Sequence, residues 1–452
     1  MSGYAQTLAA LARRERFGVR LGLENMRAAC AALGSPERAA AVLHVGGTNG
    51  KGTTAEALAA LAAAHGLTAG LYTSPHLVDF RERVRVAGRP VEAAAVTAAW
   101  DRIAPEVEGR GMTYFEATTL IAFLAFEAAA VDVAVVEVGL GGRLDATRVV
   151  DPELSVVTNV ALDHERHLGS TPAAIAREKA GIFAPGRPAL VGDPGPPDVR
   201  AAFQDVATEV GAPLKFMTDH VKLDVKSIGL AGTRFDWTAP GLHRPDLEIP
   251  LAGAHFAADA ALALAAWDSF AAARGIEVDE PAVREALTRL APPGRMEWLD
   301  AGGAPVLLDV AHNPAAAARL AETLAALGGG PSALVVGILA DKAWEAMLDA
   351  LAPAASRAWL CGLASAPADR RLDEADAAGG LAARPRVEWA GSVAGGLAAA
   401  RAEVAAGRAG RIVVTGSFYT VGEALLALGA ARPGEPWVPR RRAAATAAGA
   451  PL

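Results

Sequence analysis

The residues best suited to chemistry sit in one run, His44-Val45-Gly46-Gly47-Thr48-Asn49-Gly50-Lys51-Gly52-Thr53-Thr54. An apolar stretch from Ala39 to Leu43 leads into it, and an alanine- and leucine-rich stretch from Ala55 to Ala64 leads out, which reads as strand, loop and helix start. That order builds a phosphate cradle. Glycines let backbone N–H groups turn toward an anion, the helix N-terminus adds its dipole, Lys51 supplies charge, and a threonine hydroxyl can hold Mg²⁺. The spacing departs from the common G-x-x-x-x-G-K-[ST] pattern, because Gly52 separates Lys51 from Thr53. Alone, the run is also compatible with an ordinary glycine-rich strand-to-helix turn, so its meaning depends on its surroundings.

Three further strand ends carry polar groups. Ala69 to Tyr72 reads as a strand that runs into Thr73-Ser74-Pro75-His76. The run Val133 to Val138 is apolar except for Glu137, a carboxylate near the C-terminal end, and ligands of parallel α/β sheets collect at that edge. A flexible loop, Gly139-Leu140-Gly141-Gly142-Arg143-Leu144-Asp145, follows it. Leu154 to Val160 is the next strand and ends in Ala161-Leu162-Asp163-His164. Beside a phosphate loop, Ser74, Glu137 and His164 offer a hydroxyl, a carboxylate and an imidazole, a set that suits Mg²⁺. Each taken singly is as well explained as a satisfied polar group; their joint placement beside the cradle favours the metal. Lys179 falls on a helical stretch ending at Gly181 and reads by itself as an exposed or ion-paired lysine. The charged run Arg81 to Val86 reads as a solvated edge strand.

These residues need a frame. At 452 residues the chain exceeds what one core usually holds, which predicts two domains. The 52% hydrophobic share is rich in alanine and favours helix, and a net charge of −7 offers no footprint for nucleic acid or an anionic membrane, so phosphate binding must be local. Cys30 and Cys361 lie far apart without metal-type spacing and read as reduced thiols of a cytoplasmic protein. The charged N-terminus lacks a signal-peptide core, and Glu127, Asp132 and Glu137 interrupt the longest apolar stretch, so no membrane span is expected.

The helical pattern of residues 4–33 breaks between Phe17 and Leu23, in a loop able to reach a ligand. Residues 215–250 alternate β-like runs with turns, such as Leu223 to Ile228 and Arg234 to Trp237, and predict a small accessory sheet before another alanine helix. Pro292-Pro293-Gly294-Arg295 marks a boundary, after which strands at Val306–Val310, Ala333–Ile338, Ala358–Cys361, Val387–Ala390 and Ile412–Thr415 alternate with helices. The first of them ends in Asp309-Val310-Ala311-His312-Asn313-Pro314 and the last in Gly416-Ser417. The expected architecture is α/β: a P-loop doubly wound sheet domain over residues 1–291 carrying a small accessory β-sheet, a smaller Rossmann-like domain over 292–430, and a disordered tail over 431–452.

Together these residues resemble the folylpolyglutamate synthase and dihydrofolate synthase family of Mur-type amide ligases, from about residue 17 to residue 425. The resemblance is carried by His44 to Thr54, Ser74-Pro75-His76-Leu77, Glu137 to Thr147 and Arg177-Glu178-Lys179-Ala180-Gly181-Ile182. In the second half it rests on Asp309 to Pro314, Asp341-Lys342 and Gly416-Ser417-Phe418-Tyr419-Thr420-Val421. It implies an ATP-dependent ligation in which a substrate carboxylate becomes an acyl phosphate and the amino group of glutamate attacks it, giving an amide, ADP and phosphate. A carboxylate is a poor electrophile until one oxygen becomes a leaving group, and the site must neutralise the phosphate charge as it shifts.

On the same basis Thr48, Asn49, Gly50, Lys51, Gly52 and Thr53 would hold the ATP phosphates, with Lys51 on the transferred group. Ser74 and Glu137 would hold one Mg²⁺ and His164 a second, which a carbamate on Lys179 would complete. Arg295, Asp309 and His312 would contact phosphate, ribose and base, so the domains must close to assemble the site. The loop Arg20-Leu21-Gly22-Leu23-Glu24 resembles that of members that also make dihydrofolate, and Thr113-Tyr114-Phe115-Glu116 and Leu144-Asp145-Ala146 match further parts of a dihydropteroate site. Ser417 is the candidate for holding glutamate.

The implied protein is therefore a monomeric bifunctional synthase acting on dihydropteroate, reduced folates, L-glutamate and ATP, with polyglutamylation alone as the alternative. One departure stands out: the family commonly has His-Gln and then Asn where this chain has His255-Phe256 and then Asp259, and an ionised aspartate accepts from an adenine amino group without donating. Two other readings fit less well. A cell-wall ligase of the Mur type would carry a further N-terminal domain, whereas a short stretch precedes His44. A nucleotide-binding switch without chemistry would have no place for Asp309 and His312.

Overall fold

Short β-branched runs that are apolar on both faces can be covered only by helices on each side, and that requirement builds the first half of the molecule. The protein is described by a computed structural model over residues 3–18, 20, 22–300 and 304–439. Eight strands form the first sheet: β1 Ala41–Gly46, β2 Ala69–Tyr72, β3 Val84–Val86, β4 Arg89–Pro90, β5 Val133–Glu137, β6 Leu154–Val157, β7 Ala189–Val191 and β8 Leu214–Phe216. Their order is β4-β3-β2-β5-β1-β6-β7-β8, parallel from β2 to β8, with β3 and β4 added antiparallel. Register sets Val45 of β1 opposite Glu137 of β5 and Gly46 opposite Val157 of β6, so the glycine run and the Glu137 tip leave the sheet at one edge.

Helices Lys51–Ala64 and Ala254–Arg274 cover one face, and helices Ala93–Gly109 and Tyr114–Ala128 the other. Ala254–Arg274 is the one helix among the described residues long and apolar enough to cross a membrane, yet 67% of its most apolar 18-residue stretch is buried. The accessory sheet explains that burial. It has three antiparallel strands, β9 Lys222–Gly229, β10 Gly232–Ala239 and β11 Leu242–Ile249. Phe235, Trp237, Leu247 and Ile249 face inward from it, and the Trp237 indole donates to Ala261 O of the helix at 3.2 Å.

The second sheet comprises β12 Glu297–Asp300, β13 Pro305–Leu308, β14 Ser332–Val336, β15 Ala355–Leu360, β16 Val387–Trp389 and β17 Arg411–Thr415, in the order β12-β13-β17-β14-β15-β16. The five expected strands are present and parallel; β12 is an addition that starts two residues after Arg295 and runs antiparallel to β13. Two expectations are corrected. Residues 81–86 are no solvated edge, since Glu82, Arg83 and Arg85 are buried and Arg85 pairs with Glu56 on the helix after the cradle at 2.8 Å. The stretch 431–439 is not disordered: Trp437 is buried in the second core and hydrogen-bonded, which outweighs the proline- and glycine-rich composition around it. Residues 440–452 lie outside the described residues, as does Leu21 of the early loop.

Candidate active site

The cradle is shaped by two glycines that no other residue could replace. Gly50 caps the helix Lys51–Ala64 at φ 82°, and a Cβ there would stand 2.2 Å from Asp259 Oδ1; a Cβ on Gly47, at φ 140°, would stand 1.8 Å from Thr158 Oγ1. The tip of β6 then pins the loop. Thr48 N donates to Asn159 O (3.0 Å), Asn49 N to Asn159 Oδ1 (3.1 Å), and Thr158 Oγ1 to Asn49 O (2.6 Å). Lys51 Nζ folds back on Thr48 O at 3.0 Å, while Thr53 Oγ1 is buried without a hydrogen-bond partner. An unpartnered hydroxyl and an ammonium at a helix N-terminus are the groups that a phosphate and its cation would satisfy.

This loop forms one wall of a cleft of about 590 Å³. Every nucleotide and metal candidate named from the sequence lies on its walls, from Thr48 through Thr53, Ser74, Glu137, His164 and Lys179 to Asp259, Arg295, Asp309 and His312. Glu137 is buried and accepts from Ser74 N at 2.8 Å; burial pushes its carboxyl up, and Lys51 opposes that most. Burial lowers the Lys51 ammonium in turn, against the pull of Glu137 and Asp163. His164 sits in the left-handed region at φ 53°; its side chain is 39% exposed, yet the protein packed around it holds its imidazole at about 4, neutral and free to ligate. Lys179 is neither exposed nor ion-paired: its Nζ donates to Gly47 O at 2.8 Å, and burial, with help from Lys51, brings it down to about 7.

The second sheet supplies the opposite wall. Asp309 ends β13's extension, with Oδ2 accepting from Met296 N (3.1 Å) and Oδ1 from Ala311 N (2.9 Å). Arg295 is stacked over the Phe418 ring at 5.2 Å. His312 donates from Nδ1 to Val310 O (3.0 Å), which fixes the tautomer and turns Nε2 toward Asp163, 3.8 Å away. Asn313 Nδ2 donates to Asn49 Oδ1 at 2.9 Å, and Lys342 Nζ meets Asp163 Oδ1 at 2.5 Å, so the two halves touch at the cradle itself. Asp259 changes meaning here. Burial pushes its carboxyl well above the usual range despite Arg295 and Arg319, a shift toward the acid form, which has a donor beside its acceptor as an asparagine does.

The chain matches the Mur ligase middle domain over residues 45–267 and the Mur ligase glutamate ligase domain over residues 294–418. It is 38% identical over 423 residues to the dihydrofolate synthase/folylpolyglutamate synthase of Escherichia coli, covering 92% of this chain and 93% of that one. It is 35% identical over 395 residues to the folylpolyglutamate synthase of Lacticaseibacillus casei, covering 86% and 90%. The chain belongs to the dihydrofolate synthase/folylpolyglutamate synthase family of Mur ligases. Members are ligases that form C–N bonds, and this chain is an enzyme of that class. The Mycobacterium tuberculosis folylpolyglutamate synthase complexed with ADP superposes with a TM-score of 0.86 at 32% identity, covering 96% of this chain and 99% of that one. E. coli FolC in complex with DHPP and ADP gives 0.82 at 36%, covering 94% and 98%.

The pterin-side candidates of this folylpolyglutamate synthase relative do not line the same cleft. Thr113 and Glu116 form a capping box on helix Tyr114–Ala128, Glu116 Oε2 accepting from Thr113 N (2.7 Å) and Oγ1 (2.8 Å). Phe115 packs near the Tyr72 ring, 6.1 Å between centroids, and Arg83 lies over the Tyr114 ring at 5.4 Å. Asp145 is spent inside its own loop, accepting from Leu140 N, Thr147 N and Thr147 Oγ1, with Leu144 and Ala146 on either side. Arg20 is exposed and reaches Gly111 O at 3.4 Å, two residues before Thr113, while Gly22 follows in the same loop. Ser417 acts as the N-cap of helix Phe418–Ala427, and Phe418 stands in its place on the cleft wall.

Sequence reasoning left out Asp163, Asn313, Arg319 and Lys342 as site residues. Arg319 carried a signal: it lies one helical turn beyond Ala315 and Ala316, a lone cation in an alanine helix starting at the His312-Asn313-Pro314 tip.

Proposed function

We propose that this enzyme ligates L-glutamate to dihydropteroate, making dihydrofolate, and to reduced folates, extending a polyglutamate chain, in both cases at the expense of ATP and through an acyl phosphate. The observation that carries the reading is a single cleft with a phosphate cradle and Glu137 on one wall and Arg295, Asp309 and His312 on the other. A relative of known structure was solved with both DHPP and ADP, which supports the pterin side. The domains of the reading are residues 1–291 and 292–430, acting as a monomer in the cytoplasm.

In this reading the backbone of Thr48 to Thr53 surrounds the β- and γ-phosphates, and Lys51 follows the γ-phosphoryl group as it passes to the substrate carboxylate. Arg295 meets the phosphate charge from the other wall. The glutamate amine then attacks the acyl carbon, the C–N bond forms as the C–O bond to phosphate breaks, and the amine gives up a proton. Ser74, Glu137, the orphaned Thr53 hydroxyl and neutral His164 fit Mg²⁺, an ion that keeps several waters and is held together with substrate phosphates. Mg²⁺ held by these residues would supply charge neutralisation to the shifting phosphate. Two ions fit if Lys179 carries a carbamate. At about 7, an appreciable share of Lys179 is free amine, the form that adds to CO₂ and releases one proton, leaving an anionic oxygen on the cleft that His164 also lines.

The test is product analysis by mass spectrometry with ATP, Mg²⁺ and glutamate, offering dihydropteroate and tetrahydrofolate in parallel. Dihydrofolate from the first and a glutamate-extended product from the second are expected. Extension of tetrahydrofolate alone would reduce the enzyme to a polyglutamate synthase, and ADP release independent of glutamate would remove the ligase reading.

A further inference from the structure

The stretch Arg432 to Pro439, beyond the last helix, crosses from the second sheet's core back to the first half of the molecule, and one side chain holds it there. Trp437 is buried at 6% exposure, while Val438 next to it is 58% exposed. Its backbone N–H donates to Glu82 Oε1 at 3.0 Å, and its indole Nε1–H donates to Glu297 Oε1 at 3.0 Å and Oε2 at 3.2 Å. A single tryptophan thus bridges two buried carboxylates, one from each half. Arg81 adds a donation to Gly434 O at 2.9 Å.

Each carboxylate organises a segment that carries a site residue. Glu82 also accepts from Leu77 N (2.8 Å), Val78 N (3.1 Å) and Asp79 N (2.8 Å), so it sets the backbone that follows Ser74. Glu297 accepts from Gly294 N at 2.9 Å, closing the turn that presents Arg295. The first segment is also plugged into the second half: Leu77 and Val78 pack against its core, and a Cβ on Gly422 would stand 2.2 Å from Leu77 O. We infer that Trp437 is a positioning residue, clasping the Ser74 loop and the Arg295 turn to each other so that the two walls of the cleft keep one spacing. What it positions rests on the ligase reading above; that it clasps does not.

The geometry separates the two bonds. Trp437→Phe keeps the buried ring and the backbone donor to Glu82 but removes the donor to Glu297, whereas Trp437→Ala removes the anchor of both. Hydrogen–deuterium exchange on the full chain should therefore show faster exchange at residues 293–298 alone in the Phe variant, and at both 76–83 and 293–298 in the Ala variant, with helix Lys51–Ala64 unchanged in each. Where ligase turnover is established, kcat should fall about tenfold or more in Trp437→Phe while KM for the folate substrate holds, as for a misplaced rather than missing group. Unchanged exchange at both segments in both variants or uniform acceleration throughout the Phe variant would overturn the clasp, and wild-type kcat with a loosened turn would overturn its positioning role. A wild type without turnover defeats the functional reading and leaves the exchange comparison to decide the clasp.

Discussion

His44 shows how the first residue of a motif can matter without touching the ligand. It is fully buried in β1, and its Nε2 meets Thr147 Oγ1 at 2.8 Å while that hydroxyl donates to Asp145 Oδ1 at 2.5 Å, so the imidazole must be the donor at Nε2. Nδ1 is left without a partner, and burial, with Arg148 adding to it, holds the ring at about 3. The unfolded imidazole takes up a proton below its ordinary value and the folded one does not, so stability is lost as pH falls from about 6.5 toward 3. Between pH 7 and pH 5 that is about 2 kcal/mol from this one residue. His44→Gln, which keeps a donor for Thr147, should show a drop between urea unfolding at pH 7 and at pH 5 that is smaller by about that amount. Equal drops in the two proteins would mean that His44 titrates in the folded state.

At the scale of elements, the loops and helix starts facing the pterin side carry two roles that substitution can separate. The Thr113–Glu116 box caps helix Tyr114–Ala128, whose inner face fills the core beneath β2 and β5. Thr113→Ala removes the hydroxyl that donates to Glu116 Oε2 and accepts from Glu116 N, and should cost about 1 kcal/mol in urea denaturation. If Thr113 serves only as a cap, turnover of dihydropteroate and of tetrahydrofolate should change in parallel. A selective rise in KM for dihydropteroate would instead place its hydroxyl on the substrate.

For the molecule as a whole, the two halves meet through charge as well as through packing. Asp163 is held well below the usual carboxylate range: burial works against this, and positive neighbours outweigh it. At neutral pH His164 and His312, both at about 4, are uncharged, which leaves Lys342 as the partner that counts. Removing one member of a mostly buried pair strands the other, so Lys342→Met alone should destabilise by about 3 kcal/mol or more. Asp163→Asn combined with Lys342→Met should recover part of that loss, giving a coupling energy of about 0.5–3 kcal/mol in a double-mutant cycle on the unliganded protein. Additive losses would show that the pair does not link the halves.

The ordered blocks from His44 to Val421 fix most of the family resemblance, because glycines at a turn, a lysine at a helix start and carboxylates at strand tips are required locally by backbone geometry and charge. The alternation of apolar runs with alanine helices likewise made two α/β sheets legible, since periodicity is a property of neighbours in the chain. Solvent exposure was not legible for Arg83, Lys179 and Trp437, each surrounded in sequence by polar or turn-forming residues yet buried by segments far away in the chain. Nor was the upward push on the Asp259 carboxyl, which follows from its burial against Gly50. Local residue types determined which chemistry this protein can do. Only the tertiary structure decided which groups face the cleft, which are consumed in caps and clasps, and in what ionisation state they stand, because desolvation and long-range pairing exist only once the chain has closed on itself.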